Sequence, residues 1–113
     1  MRLQKYFISY TSQTNINDVL FHNEIIDIND PLQWINQKNA EDSKIKYALI
    51  KWEKIEGPLP RHRTCTITYV TQKEIGDSLF KTEEIHKKNP ITWVIEKNTN
   101  SKIKYTLINW WPI

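Results

Sequence analysis

Cysteine occurs once in the 113 residues and glycine only twice. The single thiol, Cys65, excludes an internal disulfide framework and a cysteine-built metal site, and it suits a reducing compartment. Two glycines cannot build a phosphate-cradling loop, and the nucleophile elbow, P-loop, dinucleotide fingerprint and paired-histidine zinc motif are all missing. His22, His62 and His86 fall at non-equivalent places with no partner at ligand spacing, so no metal site and no cofactor is expected. The opening MRLQKYFISY has no secretory apolar core, and no run approaches the ~20 residues of a membrane span, so a cytoplasmic protein is expected. An excess of one charge sign is lacking as well: the net value is only +3. It is uneven, with seven Lys/Arg against eight Asp/Glu in residues 1–56 and nine against five in 57–113.

What the chain does have is repetition. SKIKYALIKW at Ser43–Trp52 returns as SKIKYTLINW at Ser101–Trp110. Sliding the sequence by 59 positions sets Tyr10 on Tyr69, Asp18 on Asp77, Glu24 on Glu83, Pro31 on Pro90, Trp34 on Trp93 and Lys38-Asn39 on Lys97-Asn98. One gap later the offset becomes 58, and half of the aligned positions are identical. The organisation that follows is a first repeat at 1–56, a linker at 57–63 stiffened by Pro58 and Pro60, and a second repeat at 64–113, in one compact domain.

Each repeat reads as strand, strand, helix, strand. Tyr6, Ile8 and Tyr10 alternate with Phe7, Ser9 and Thr11; Cys65, Ile67 and Tyr69 alternate with threonines, which also makes Cys65 an inert buried thiol. Asn17 and Gly76, which tolerate positive φ, mark the hairpin turn. Asp30-Pro31 and Asn89-Pro90 supply a capping side chain followed by proline at the first helical position. Leu32/Ile91 and Ile35/Val94 share the buried helical face, and the helices end near Asn39 and Asn98. With the third strand beside the first, the order is 2-1-3. The expected class is α+β: two tandem ββαβ repeats with pseudo-twofold symmetry, each antiparallel sheet covered by one short helix, the sheets meeting face to face or edge to edge.

Strict alternation along the last strand puts Ile45, Tyr47 and Leu49 on one side and Lys46, Ala48, Ile50 and Trp52 on the other. The helix covers one side only, so Ile50, Trp52, Ile108 and Trp110 are expected to pack the halves together. Trp111, in the Trp110–Ile113 tail, is expected to join that packing or reach a neighbouring molecule.

The first-strand YFISY, the Phe21-His22-Asn23 stretch, Pro31 and the YALIKW strand resemble small single-copy ββαβ proteins of phages and mobile elements of Gram-positive bacteria. Those begin with a KYFVSY-like strand and end in an apolar strand closed by Trp or Phe. The resemblance covers both halves and implies the fold and an accessory or host-defence-related role, but no site.

Function is expected to be binding without catalysis, with a homo-oligomer or a protein partner and no membrane. The duplicated acids Glu24/Glu83 and Asp18/Asp77 are read as salt-bridge and turn residues. The alternative is RNA or single-stranded nucleic acid held on Lys44, Lys46, Lys102 and Lys104 beside the strand aromatics. A second anion candidate is His86-Lys87-Lys88, cations placed before a helix start where acids would suit the dipole better.

Overall fold

The computed structural model describes residues 3–14, 18–42, 44–57, 64–73 and 77–113. The hairpin-turn residues Asn17 and Gly76, His62 and most of the linker lie outside them. Within the linker, Gly57 takes φ 74°, the left-handed region that glycine enters without steric cost. The chain divides into two units, Met1–Glu56 and Gly57–Ile113.

In the first unit β1 (Gln4–Gln13) lies between β2 (Val19–Ile28) and β3 (Lys46–Lys54), both antiparallel to it, in the order β2-β1-β3. Helix α1 (Pro31–Glu41) crosses from β2 to β3 and lies along β3. The second unit repeats this with β4 (Cys65–Gln72) between β5 (Ser78–Ile85) and β6 (Lys104–Pro112), and α2 (Pro90–Asn98) along β6. The class is α+β, with two three-stranded antiparallel sheets and one helix on each.

Both helices start as their sequences dictate. Asp30 Oδ1 accepts from the Leu32 amide at 3.1 Å and Asn89 Oδ1 from the Ile91 amide at 2.9 Å, with proline opening the first turn. Their ends are tied to the sheet by a second duplicated device. The Asn39 side chain takes the Tyr47 amide at 2.7 Å and gives its own amide to the Tyr47 carbonyl at 3.0 Å. Asn98 does the same with Tyr105, at 2.8 and 2.9 Å. A side-chain amide thus stands in for a neighbouring strand where β3 and β6 begin, satisfying main-chain groups at a sheet edge.

The first core gathers Ile8, Tyr10 and Ile35 with Tyr6, Ile26, Ile28, Trp34, Tyr47 and Leu49 around them. Leu32, expected inside, is more than half exposed, whereas its counterpart Ile91 is fully buried. The α1 stripe centres on Pro31, Trp34 and Ile35, and position 32 stands at its margin. On the face turned from the helix, Phe7, Ser9 and Phe21 in the first unit and Val70 and Thr106 in the second are also buried.

Strict alternation fails in the last strands at one place, and it fails identically in both. Ser9 stands opposite Lys51 but Tyr10 opposite Leu49, leaving Ile50 as an extra residue; Thr68 and Tyr69 face Asn109 and Leu107, leaving out Ile108. This β-bulge inverts the facing of everything after it. Trp52 therefore stands opposite Ile8 and Trp110 opposite Ile67, on the helix side with Leu49 and Leu107, and not with Lys46 as alternation predicts. The alternation expected between Ile50 and Trp52, and between Ile108 and Trp110, is therefore broken within each sheet. Trp110 is buried and Ile108 partly so, while Ile50 and Trp52 are about two-fifths exposed. The tail is strand rather than a frayed end: Pro112 pairs with Cys65, and the Ile113 amide donates to the Thr64 carbonyl at 3.0 Å. Trp111 lies opposite Thr66 on the face away from α2.

Replacing Asn98 by Ala removes both bonds to Tyr105 and should lower unfolding free energy by about 1–2 kcal/mol. Asn98→Asp keeps the acceptor and should cost less, in equilibrium urea denaturation of the full chain.

Candidate binding site: a duplicated aromatic cluster and the cleft beside it

Every element of a unit contributes at least one side chain to a cluster between sheet and helix. From β1 comes Tyr10, from β2 Glu24, from α1 Trp34 and Lys38, and from β3 Tyr47. Tyr10 meets the Trp34 ring edge-on at 5.2 Å and the Tyr47 ring at 6.2 Å. The Lys38 ammonium lies 5.0 Å from the centres of both outer rings, a cation–π arrangement its place one turn after Trp34 permits. In the second unit Tyr69, Glu83, Trp93, Lys97 and Tyr105 repeat it, with ring separations of 4.9, 5.9 and 6.3 Å and the ammonium 5.6 and 6.0 Å from the rings of Trp93 and Tyr105. All five residue types are identical in the two copies.

The glutamates belong to the tyrosines. Tyr69 Oη donates to Glu83 Oε2 between β4 and β5, and Tyr10 faces Glu24 across the corresponding strands β1 and β2. Burial raises both phenolic pKa values well above the usual 10, and the neighbouring carboxylate raises them further by charge and by accepting the phenolic proton. In the first unit the cluster extends to His22, stacked on Tyr10 at 4.8 Å with its Nε2 2.7 Å from Ser12 Oγ. The second unit has Lys81 there.

A cleft of about 210 Å³ opens on the outer side of Trp34. Leu3, Ile28 and Trp34 form its apolar part, and Asp27, Asp30 and Gln37 its polar part. The corresponding region of the second unit is built differently. Strand β5 stops at Ile85, two residues earlier than β2, and Lys87 turns the chain at φ 54°. Lys88, in place of Asn29, then bonds Glu96, in place of Gln37. An internal ion pair spans the positions that line the cleft in the first unit.

These positions settle where the residues expected from sequence stand. Of the His86-Lys87-Lys88 group, His86 Nδ1 is 3.2 Å from Thr64 Oγ1 and Lys88 is paired with Glu96. Lys46 and Lys104 lie opposite Gln13 and Gln72, on the sheet face away from the aromatic clusters, and Lys44 and Lys102 precede their strands. Tyr47 and Tyr105, adjacent to those lysines in sequence, point the other way into the clusters. Cys65 is buried. Among the described residues no three His, Cys, Asp or Glu gather as a metal site, and no described helix is long and apolar enough to cross a membrane. Sequence reading missed the cluster. Its signal in the sequence is the duplication of the Tyr, Glu, Trp and Lys-Asn positions.

The raised tyrosine pKa values fix an alkaline limit. The folded state holds its phenolic protons above the pH at which the unfolded chain releases them, so this contribution is complete below about pH 10 and is lost as pH rises further. Absorbance titration should show two of the five tyrosines ionising only as the fold is lost, and Tyr69→Phe should remove one of the two late ionisations.

No family model matches the chain, and no match was found among curated proteins or solved structures.

Proposed function

We propose that the chain acts by binding a protein partner, without catalysis, and that the cleft beside Trp34 receives a cationic side chain of that partner. The observation that carries this reading is the make-up of the cleft: an indole wall, aliphatic flanks and two carboxylates. Its volume of about 210 Å³ falls below the roughly 300–1,000 Å³ of small-molecule and cofactor sites, a size suited to one inserted side chain. In the second unit one of the equivalent positions already carries an ammonium, that of Lys88, paired there with Glu96.

Candidates for catalysis are otherwise engaged. Glu83 holds Tyr69, Glu24 faces Tyr10, His22 and His86 are hydrogen-bonded to hydroxyls, and the thiol is buried. Nucleic acid is less well supported, since Lys46 and Lys104 lie on the sheet face opposite the Tyr47 and Tyr105 rings they would need to flank.

Capped Gly-Lys-Gly and Gly-Arg-Gly at millimolar concentration, with a norleucine tripeptide as uncharged control, provide the test. In two-dimensional NMR the cationic peptides should move the Trp34 indole and the Gln33 and Gln37 side-chain amides, and Asp27→Lys should abolish the effect. Unmoved resonances, or equal shifts with norleucine, would overturn the reading. A salt-sensitive signal with single-stranded RNA instead would favour the nucleic-acid alternative.

A further inference from the structure

Strand β5 is the outer strand of its sheet, hydrogen-bonded along β4 and to no other described strand. It is exposed from Leu79 to Glu84, with Leu79 more than half accessible. Its counterpart β2 is drawn inward: Phe21 is buried, His22 stacks on Tyr10, and Asn23 donates to Ser9 Oγ at 2.8 Å. An open strand edge is a template for another strand, and charged side chains along it oppose pairing where like charges would meet. The β5 sequence, Ser-Leu-Phe-Lys-Thr-Glu-Glu-Ile, does not protect in that way, because its charges change sign about Thr82.

We propose that β5 pairs antiparallel with β5 of a second copy of this chain, with the twofold axis at Thr82. In that register Lys81 of each copy stands opposite Glu83 of the other, twice over, and Leu79 stands opposite Ile85. Residues 79, 81, 83 and 85 share one face, the one that carries α2, so both helices fall on the same side of a continuous six-stranded sheet. Charge selects this register among those that keep the helices together. A slip of two residues one way sets Lys81 against Lys81, and the other way Glu83 against Glu83, and like charges directly opposite are destabilising. Glu83 already accepts from Tyr69 and so is held on the face where the partner's lysine arrives. This pairing is independent of the cleft in the first unit, and Asp27→Lys should leave it unchanged.

Sedimentation equilibrium of the full chain at low ionic strength reads the association. Mass should rise from 13.6 kDa toward twice that value with concentration. Lys81→Glu turns both cross-strand pairs repulsive and should weaken the dimer about tenfold or more; Lys81→Glu/Glu83→Lys should recover it. Circular dichroism confirms that each variant is folded. Because Glu83→Lys also loses the Tyr69 bond, Thr82→Cys supplies a second arm: oxidation should give a disulfide-linked dimer, whereas Lys102→Cys, away from the axis, should not. A chain that stays at 13.6 kDa throughout, or a dimer indifferent to Lys81→Glu and not trapped through residue 82, would overturn the proposal.

Discussion

The side chain on which each unit depends is one buried tyrosine, Tyr10 or Tyr69, in the central strand. Through it the outer strands and the helix are joined: its ring meets the helix tryptophan and the third-strand tyrosine, and its hydroxyl is directed to the glutamate of the second strand. A body of about 56 residues buries a smaller share of its surface than larger domains do and is correspondingly marginal. Three large rings at one junction concentrate the burial that such a body lacks in volume. The glutamate lets the phenol be buried with its proton accepted, avoiding the cost of an unpaired hydroxyl.

The bulge follows from the same junction. Each last strand must present its tyrosine and leucine to the helix and then return a tryptophan to that side, against Ile8 or Ile67. Period two allows both only if one residue is set aside, and Ile50 and Ile108 are the residues set aside. The paired asparagines at the helix ends complete the arrangement by fixing where β3 and β6 begin.

Element order, helix starts and strand order were legible in the sequence because each rests on local chemistry: alternation for the strands, Asp-Pro and Asn-Pro for the helix starts. Two copies also gave two independent readings of every signal. The bulge was not legible. It depends on the pairing between β1 and β3, and the bulged residue is an ordinary isoleucine with no glycine to mark it. The error in facing placed Trp52 and Trp110 on the wrong side of their sheets. The aromatic cluster was partly legible, its members being duplicated. Their convergence needed the helix rotation that also leaves Leu32 outside. The cleft was illegible, since its lining comes from the chain start, the end of β2 and two turns of α1.

The two copies also separate what packing dictates from what it leaves free. Residues inside the cluster are the same in both units, as expected where each ring touches several others and a change of volume is felt by all. Substitutions at exposed positions away from such contacts usually stay within about 0.5 kcal/mol, so these are free to diverge without loss of fold. The divergence is nevertheless organised. Around the helix starts, Asp27, Asn29, Asp30 and Gln37 give way to His86, Lys88, Asn89 and Glu96, and an ion pair spans the positions that line the cleft in the first unit. Along the outer strands, His22, Asn23 and Ile25 give way to Lys81, Thr82 and Glu84, and the second outer strand is exposed from Leu79 to Glu84 with its charges changing sign about Thr82. A scaffold pinned at its centre can carry two different surfaces on one design, with the first unit keeping a cleft and the second an edge.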